Sequence, residues 1–134
     1  MEHNYIDKLA WIYVKDGRIL STRSQGKDTW YIPGGKREGN ETDAQALIRE
    51  IKEELSIDIV PESISLFGTF EAQAHGKPEG TMVRMTCYTS DFTGDIQPAA
   101  EIEEYAWFGY EGKEKSSPVD KLIFDDLKMK GLIV

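Results

Sequence analysis

Glu50, Glu53 and Glu54 fall within five consecutive positions, with Arg49 directly before them. Carboxylates this close repel one another. On a helix, a like-charged pair four residues apart, such as Glu50 and Glu54, costs a few tenths of a kcal/mol (about 0.2–0.5). A solvated acidic face is one reading of such a run. Solvated faces, however, usually interleave signs at that spacing, and Arg49 and Lys52 lie to either side. The other reading is a site for a hard cation. Mg²⁺ takes oxygen ligands in octahedral geometry and commonly combines a few carboxylates with substrate phosphates. Upstream, Pro33-Gly34-Gly35 reads as a turn whose bare backbone can approach a ligand, with a carbonyl available to a metal.

A helix must carry these carboxylates. Thr42 is a good N-cap, Gln45 three residues later completes a capping box, and Asp43 complements the helix dipole. At about 100° per residue, Ala44, Ile48, Ile51 and Leu55 form a stripe expected to face the core. Glu50 and Glu54 are expected on the opposite side, with Glu53 beside them. Ser56 stands where glycine often caps the C-terminus.

Strands are expected around this helix. Ile6–Lys15 and Arg18–Ser24 read as a hairpin turning at Asp16-Gly17. Trp30-Tyr31-Ile32 and Ile57–Val60 read as short strands. In Ser63–Ala74, Ile64, Leu66, Phe70 and Ala72 share a face, and in Thr81–Phe92 so do Val83, Met85 and Cys87. Glu104–Tyr110 is a further strand. Ser116–Lys130 reads as a helix with Pro118 in its first turn, Leu122, Ile123 and Leu127 as its apolar stripe, and Gly131 at its stop. The order predicts an α+β chain, a mixed sheet layered between helices.

Composition bounds the function. The 134 residues fit one domain, 1–134. With 24 acidic and 16 basic residues the net charge is −8, which disfavours duplex nucleic acid and anionic membranes as partners. Cys87 is the only cysteine, so an internal disulfide and a multi-cysteine zinc site are both excluded. MEHNYIDKLAW lacks a basic, then apolar leader pattern, and no run is long enough to span a bilayer. A cytoplasmic protein is expected.

Gly35, then Glu41, then Arg49-Glu50-Ile51-Lys52-Glu53-Glu54, with Ile57 following, resembles the Nudix box at 35–57, of the pattern Gly-x5-Glu-x7-Arg-Glu-U-x-Glu-Glu-x-Gly-U, where U is a bulky aliphatic. One position departs: Ser56 replaces the second glycine, a residue that shapes the turn. Trp30–Gly35, Glu104–Phe108 and the C-terminal helix extend the likeness to a MutT-like Nudix hydrolase over nearly the whole chain. The resemblance implies an α/β/α sandwich with a loop-helix-loop motif. It implies metal ligands at Glu50, Glu53, Glu54 and the Gly34 carbonyl, an outer role for Glu41, and Arg49 as an orienting partner of a box carboxylate. It also implies Mg²⁺- or Mn²⁺-dependent hydrolysis of a nucleoside diphosphate linked to a group X.

In that chemistry water attacks a phosphorus and a carboxylate takes its proton. Glu53 is one candidate base; Glu101, Glu103 and Glu104 offer others outside the box. Residues elsewhere choose X. Gly34-Gly35-Lys36 is similar to the nucleoside triphosphatase branch, which yields a monophosphate plus pyrophosphate. ADP-ribose or a sugar nucleotide is the alternative substrate, and a silent nucleotide-binding module the alternative class. Arg23, Lys36, Tyr31 and Trp107 are candidate substrate contacts. Cys87 has no activating partner in the sequence, which argues against the diphosphate-isomerase branch. A homodimer is compatible with everything above.

Overall fold

The computed structural model describes residues 4–134; the first three residues of the stretch inspected for a leader lie outside the described residues. In chain order the elements are β1 (Asn4–Trp11), β2 (Val14–Lys15), β3 (Arg18–Ser24), β4 (Trp30–Tyr31), β5 (Gly34–Lys36), α1 (Asp43–Leu55), β6 (Asp58–Ile59), β7 (Ser65–Gln73), β8 (Thr81–Thr89), β9 (Phe92–Thr93), β10 (Ile102–Phe108) and α2 (Pro118–Met129). One sheet runs β5-β1-β8-β7, with β1 and β8 parallel and the other pairs antiparallel. A second runs β10-β3-β2, with β4 also on β3, and β6 pairs β9.

β1 lies between two cores because its side chains alternate. Leu9 and Trp11 face the cluster built on Ala46, Leu47, Ile51 and Leu55 of α1. Ala10 faces the cluster containing Val119, Ile123, Phe124 and Leu127 of α2. β3 divides likewise, with Ile19 in the α2 cluster and Leu20 in the α1 cluster. The expected mixed sheet between helices is thus what forms. Among the described residues no helix is long and apolar enough to cross a membrane.

Several expectations shift locally, each for a physical reason. The strand expected over Ile6–Lys15 breaks after Trp11, where the chain changes sheets. The Ile12 N–H donates to the Tyr88 carbonyl, while the Tyr13 carbonyl accepts from the Leu20 N–H. The hairpin turn is where expected, with positive φ at Asp16 (53°) and Gly17 (75°), as the tight primed turns require. Pro33-Gly34-Gly35 is more than a turn, because Gly34–Lys36 pairs antiparallel with Ala10–Lys8 as an edge strand. Leu66 is 63% exposed. A bulge between Leu66 and Gly68 inserts one residue and turns Phe67, with Phe70, toward the core. Thr81–Phe92 ends as a ladder at Thr89 and resumes as β9. On α2, Val119 and Phe124 join Ile123 and Leu127 in the core, while Leu122 is turned outward.

The largest correction concerns α1. Its capping box forms as expected: Thr42 Oγ1 accepts from the Gln45 N–H at 3.1 Å, and Gln45 Oε1 from the Thr42 N–H at 2.9 Å. The buried face, however, is Ala46, Leu47, Ile51, Glu54 and Leu55, whereas Ala44 and Ile48 are only half-buried. Glu54 is therefore not opposite the apolar stripe. Three residues of rotation place it about 60° from Ile51, at the stripe's edge, where β5 covers it.

Candidate active site

α1 presents its carboxylates to β5 and to the loop before β10. Gly34 adopts φ 149°, and a Cβ there would lie 1.9 Å from the Leu9 carbonyl oxygen, so only glycine fits against β1. A Cβ on Gly35 would lie 2.3 Å from Glu50 Oε2; the missing side chain is what leaves room for that carboxylate.

Glu54 is 7% exposed, and its Oε1 accepts from the Gly34 N–H at 3.0 Å. Burial pushes its pKa up to about 8, against the pull of that N–H; the charges of Glu50, Glu101 and Glu53 push the same way. Burial also raises Glu50, opposed by the Arg49 guanidinium. Glu53 is the outermost, with its side chain 53% exposed and 3.5 Å from Arg49.

Arg49 is the hub. Its Nε and Nη2 donate to the two oxygens of Glu41 at 2.7 and 2.9 Å, a bidentate pair. Nη1 donates to Glu50 Oε1 at 2.8 Å, and Nη2 also to the Lys36 carbonyl at 2.9 Å. The pairing holds the Glu41 carboxyl down to about 2. Glu41 therefore anchors Arg49, and Arg49 aims Glu50.

The segment before β10 is laced to the end of α1. The Gln97 N–H donates to the Leu55 carbonyl at 2.9 Å and the Ala99 N–H to the Glu54 carbonyl at 3.0 Å. Ser56 caps α1 in the left-handed region (φ 64°, ψ 22°), and its hydroxyl donates to the Gln97 carbonyl at 3.1 Å. Ala100 turns the chain at φ 54° directly before Glu101, whose charge bears on both Glu50 and Glu54.

Of the other acids outside the box, Glu103 and Glu104 are instead committed to Arg23, at 2.9 and 2.5 Å. Arg23 is thereby occupied, and it also donates to the Lys27 carbonyl and lies over Trp30. Trp107 packs on Tyr13 in the α1 core at 5.1 Å between ring centroids, in a cluster with Trp11 and Phe92. It is a packing residue at this end of the fold. Tyr31 is placed in a cleft whose lining includes Gly34, Gly35 and Glu54. Lys36 lines an adjoining pocket, and Lys8, Tyr31 and Met85 line both.

The chain matches the family model described as NUDIX domain over residues 8–126. It belongs to the Nudix family. The CTP pyrophosphohydrolase of Escherichia coli K12 is 31% identical over 107 residues, covering 76% of this chain and 74% of that protein. An ADP-ribose pyrophosphatase of Methanocaldococcus jannaschii is 27% identical over 123 residues, covering 89% and 71%. An RNA pyrophosphohydrolase of Halorhodospira halophila is 42% identical, but the match spans only 28% of that protein. Among solved structures, the Escherichia coli ORF135 protein superposes with TM-score 0.73 at 26% identity, covering 94% of this chain and 92% of the other. The MutT protein of Methanosarcina mazei gives TM-score 0.76 at 20% identity over 98% of both chains, a likeness of fold. The expected MutT-like Nudix hydrolase fold is met across the chain.

Two residues of this Nudix domain escaped the sequence reading. Lys8 sits mid-strand on an alternating pattern that gave no hint of a cavity. Asp120 lies in the first turn of α2 and is fully buried. Its Oδ2 accepts from the Ile32 N–H at 3.0 Å, and the buried Ser117 hydroxyl lies beside it. Burial pushes Asp120 up to about 7, against the Ile32 N–H, the Ser117 hydroxyl and the charge of Lys8.

Proposed function

We propose that this Nudix domain hydrolyses the diphosphate bridge of a small nucleotide, foremost a nucleoside triphosphate to monophosphate plus pyrophosphate, with Mg²⁺ or Mn²⁺. The observation that carries this reading is Glu54: a carboxyl at the wall of the cleft, buried, and pushed further by Glu50, Glu53 and Glu101. Three other carboxylates bear on Glu54, and of these Arg49 contacts Glu50 and Glu53, at 2.8 and 3.5 Å. Among the described residues, no three acidic, histidine or cysteine groups already converge as a cage. The donor set nonetheless suits a hard divalent ion, because it is made of carboxylate and carbonyl oxygens, with Glu54 and Gly34 lining the cleft. Glu50 and Glu54 would hold the ion, with the Gly34 carbonyl and Glu53 beside them. When bound, it would supply a lowered pKa for the attacking water and neutralisation of phosphate oxygens.

The chain's own residues do the rest. Glu41 fixes Arg49, and Arg49 fixes Glu50. Gly35 admits the carboxylate close to the backbone. Glu53, solvent-facing at the rim, takes the proton from water, with Glu101 as the competing base. Triphosphates are favoured over ADP-ribose because a relative matched at 31% identity over 74% of its own length carries a triphosphate name. The retained carboxylates weigh against a silent binding module.

The test is turnover of a nucleotide panel with Mg²⁺ or Mn²⁺ by wild type, Glu53→Gln and Glu101→Gln. Hydrolysis of at least one diphosphate-linked nucleotide, with a large fall in kcat for Glu53→Gln, is expected. A larger fall for Glu101→Gln would move the base to the loop. No turnover and no divalent-ion binding would remove the enzyme reading. The product pairs distinguish triphosphates from ADP-ribose, which gives AMP and ribose phosphate.

A further inference from the structure

We propose that Ser56 is a positioning residue: its hydroxyl ties segment 97–101 to the end of α1 and so holds Glu101 at the carboxylate cluster. The use of Glu101 there rests on the hydrolase reading of the site. Ser56 stands where the Nudix pattern has its second glycine, and its backbone is the one a glycine would take, φ 64° and ψ 22°. That left-handed conformation is free for glycine and strained for serine. What serine adds is a donor. Its hydroxyl reaches the Gln97 carbonyl at 3.1 Å, 41 positions along the chain. A cap of this shape needs no hydroxyl, so the bond to the neighbouring segment is the feature that serine brings in place of glycine.

Segment 97–101 hangs on the helical turn that carries Glu53 and Glu54. The Gln97 N–H donates to the Leu55 carbonyl at 2.9 Å and the Ala99 N–H to the Glu54 carbonyl at 3.0 Å. With the Ser56 bond, both polar groups of the Gln97 backbone are held, the N–H by Leu55 and the carbonyl by Ser56. Pro98 follows. Its ring fixes φ and it has no N–H to donate, so the held carbonyl sets the direction in which the chain leaves Gln97. Ala100 then turns at φ 54°. On the far side the Gln25 N–H donates to the Glu101 carbonyl at 2.8 Å, and the buried Ile102 pairs with Ser24 of β3.

Glu101 is thus strung between β3 and the end of α1. It is exposed, so packing of its own side chain does little to fix it, and the backbone anchors on either side decide where its carboxylate stands. Its charge bears on Glu50 and Glu54, whereas Glu103 and Glu104 are drawn away to Arg23. A group acting on a reacting water loses much of its effect when displaced by about 1 Å. Slack introduced at Ser56 is passed along the backbone to Glu101.

The test compares Ser56→Ala, which loses the hydroxyl and keeps the strain, with Ser56→Gly, which loses the hydroxyl and relieves it. Amide hydrogen exchange at Gln97 and Ala99 should quicken about fivefold in both, the worth of one neutral hydrogen bond. On the best nucleotide of the panel, kcat should fall about fivefold in both, although their melting temperatures differ. KM should stay within about twofold, because neither Ser56 nor Gln97 lines the cleft. In a Glu101→Gln background, Ser56→Gly should change kcat no further, since the two act through one group. Losses of kcat that follow melting temperature, or that multiply in full with Glu101→Gln, would overturn the proposal. Exchange needs no substrate, so unchanged exchange in both variants would defeat the tether whatever the turnover. Quickened exchange in a protein whose wild type cleaves no nucleotide would defeat the hydrolase reading and leave the tether standing.

Discussion

Replacing Glu54 by glutamine should stabilise the metal-free protein at high pH, although it removes a central residue of the site. Glutamine keeps an oxygen to accept the Gly34 N–H, now 3.0 Å from Glu54 Oε1, and abolishes the charge. A raised folded pKa means the native state holds its proton longer than the unfolded chain. The stability from that retained proton is fully present below about pH 4.5 and drains away as pH rises through about 8. At about 1.4 kcal/mol per pH unit, a rise from 4.5 to about 8 costs wild type on the order of 5 kcal/mol by pH 9. Roughly 3 kcal/mol of this is already lost at pH 7. Both figures are upper bounds, since water relaxes around a real charge. Thermal melts of both proteins at pH 5 and pH 9, without metal, should show similar midpoints at pH 5. At pH 9 the variant should lead by on the order of 10 °C, at a few degrees per kcal/mol. Adding Mg²⁺ at pH 9 should raise wild type and leave the variant nearly unmoved. A variant that tracks wild type across pH, or is the less stable at pH 9, would refute the claim that Glu54 carries an uncompensated buried charge.

Other perturbations separate the parts of the site. Gly35→Ala should displace the Glu50 carboxylate and cut turnover by about 10- to 100-fold with little change in melting temperature. Gly34→Ala, which drives a Cβ into the Leu9 carbonyl, should cost several kcal/mol (about 3 or more) in urea unfolding. Arg49→Lys keeps the charge but loses the bidentate grip on Glu41; turnover should fall about 100-fold, and retention of activity would show that Glu50 is aimed by something else. Ser56→Ala should lose about 1 kcal/mol with the Gln97 hydrogen bond. Ser56→Gly should recover it by relieving the left-handed cap, as read from denaturant midpoints.

The box and its helix were legible in the sequence because their signals are local. Thr42 and Gln45 sit three apart, and the glutamates follow a fixed spacing. Which way Glu54 faces was misjudged because apolar Ala44 and Ile48 drew the stripe away from Ala46 and Leu47, and only the covering strand β5 settles it. That strand was invisible, since glycines in a strand look like a turn until a partner appears. Leu66 was misplaced by a bulge, which shifts the alternation by one residue without a compositional mark. Arg23, Glu103 and Glu104 are each plausible site residues alone. A distance of 80 positions along the chain hid that they neutralise one another.

The two faces of β1 have a consequence for how such a protein can change. One face leans on α1, which carries the clustered carboxylates, and the other on α2, whose first turn and preceding serine wall the lysine-lined pocket. A substitution in the first turn of α2 reshapes the pocket wall while leaving the α1 face of the sheet untouched. The two regions meet where Lys8, Tyr31 and Met85 line both the pocket and the cleft, so a change in α2 reaches the carboxylates through those shared side chains and not through the body of the sheet.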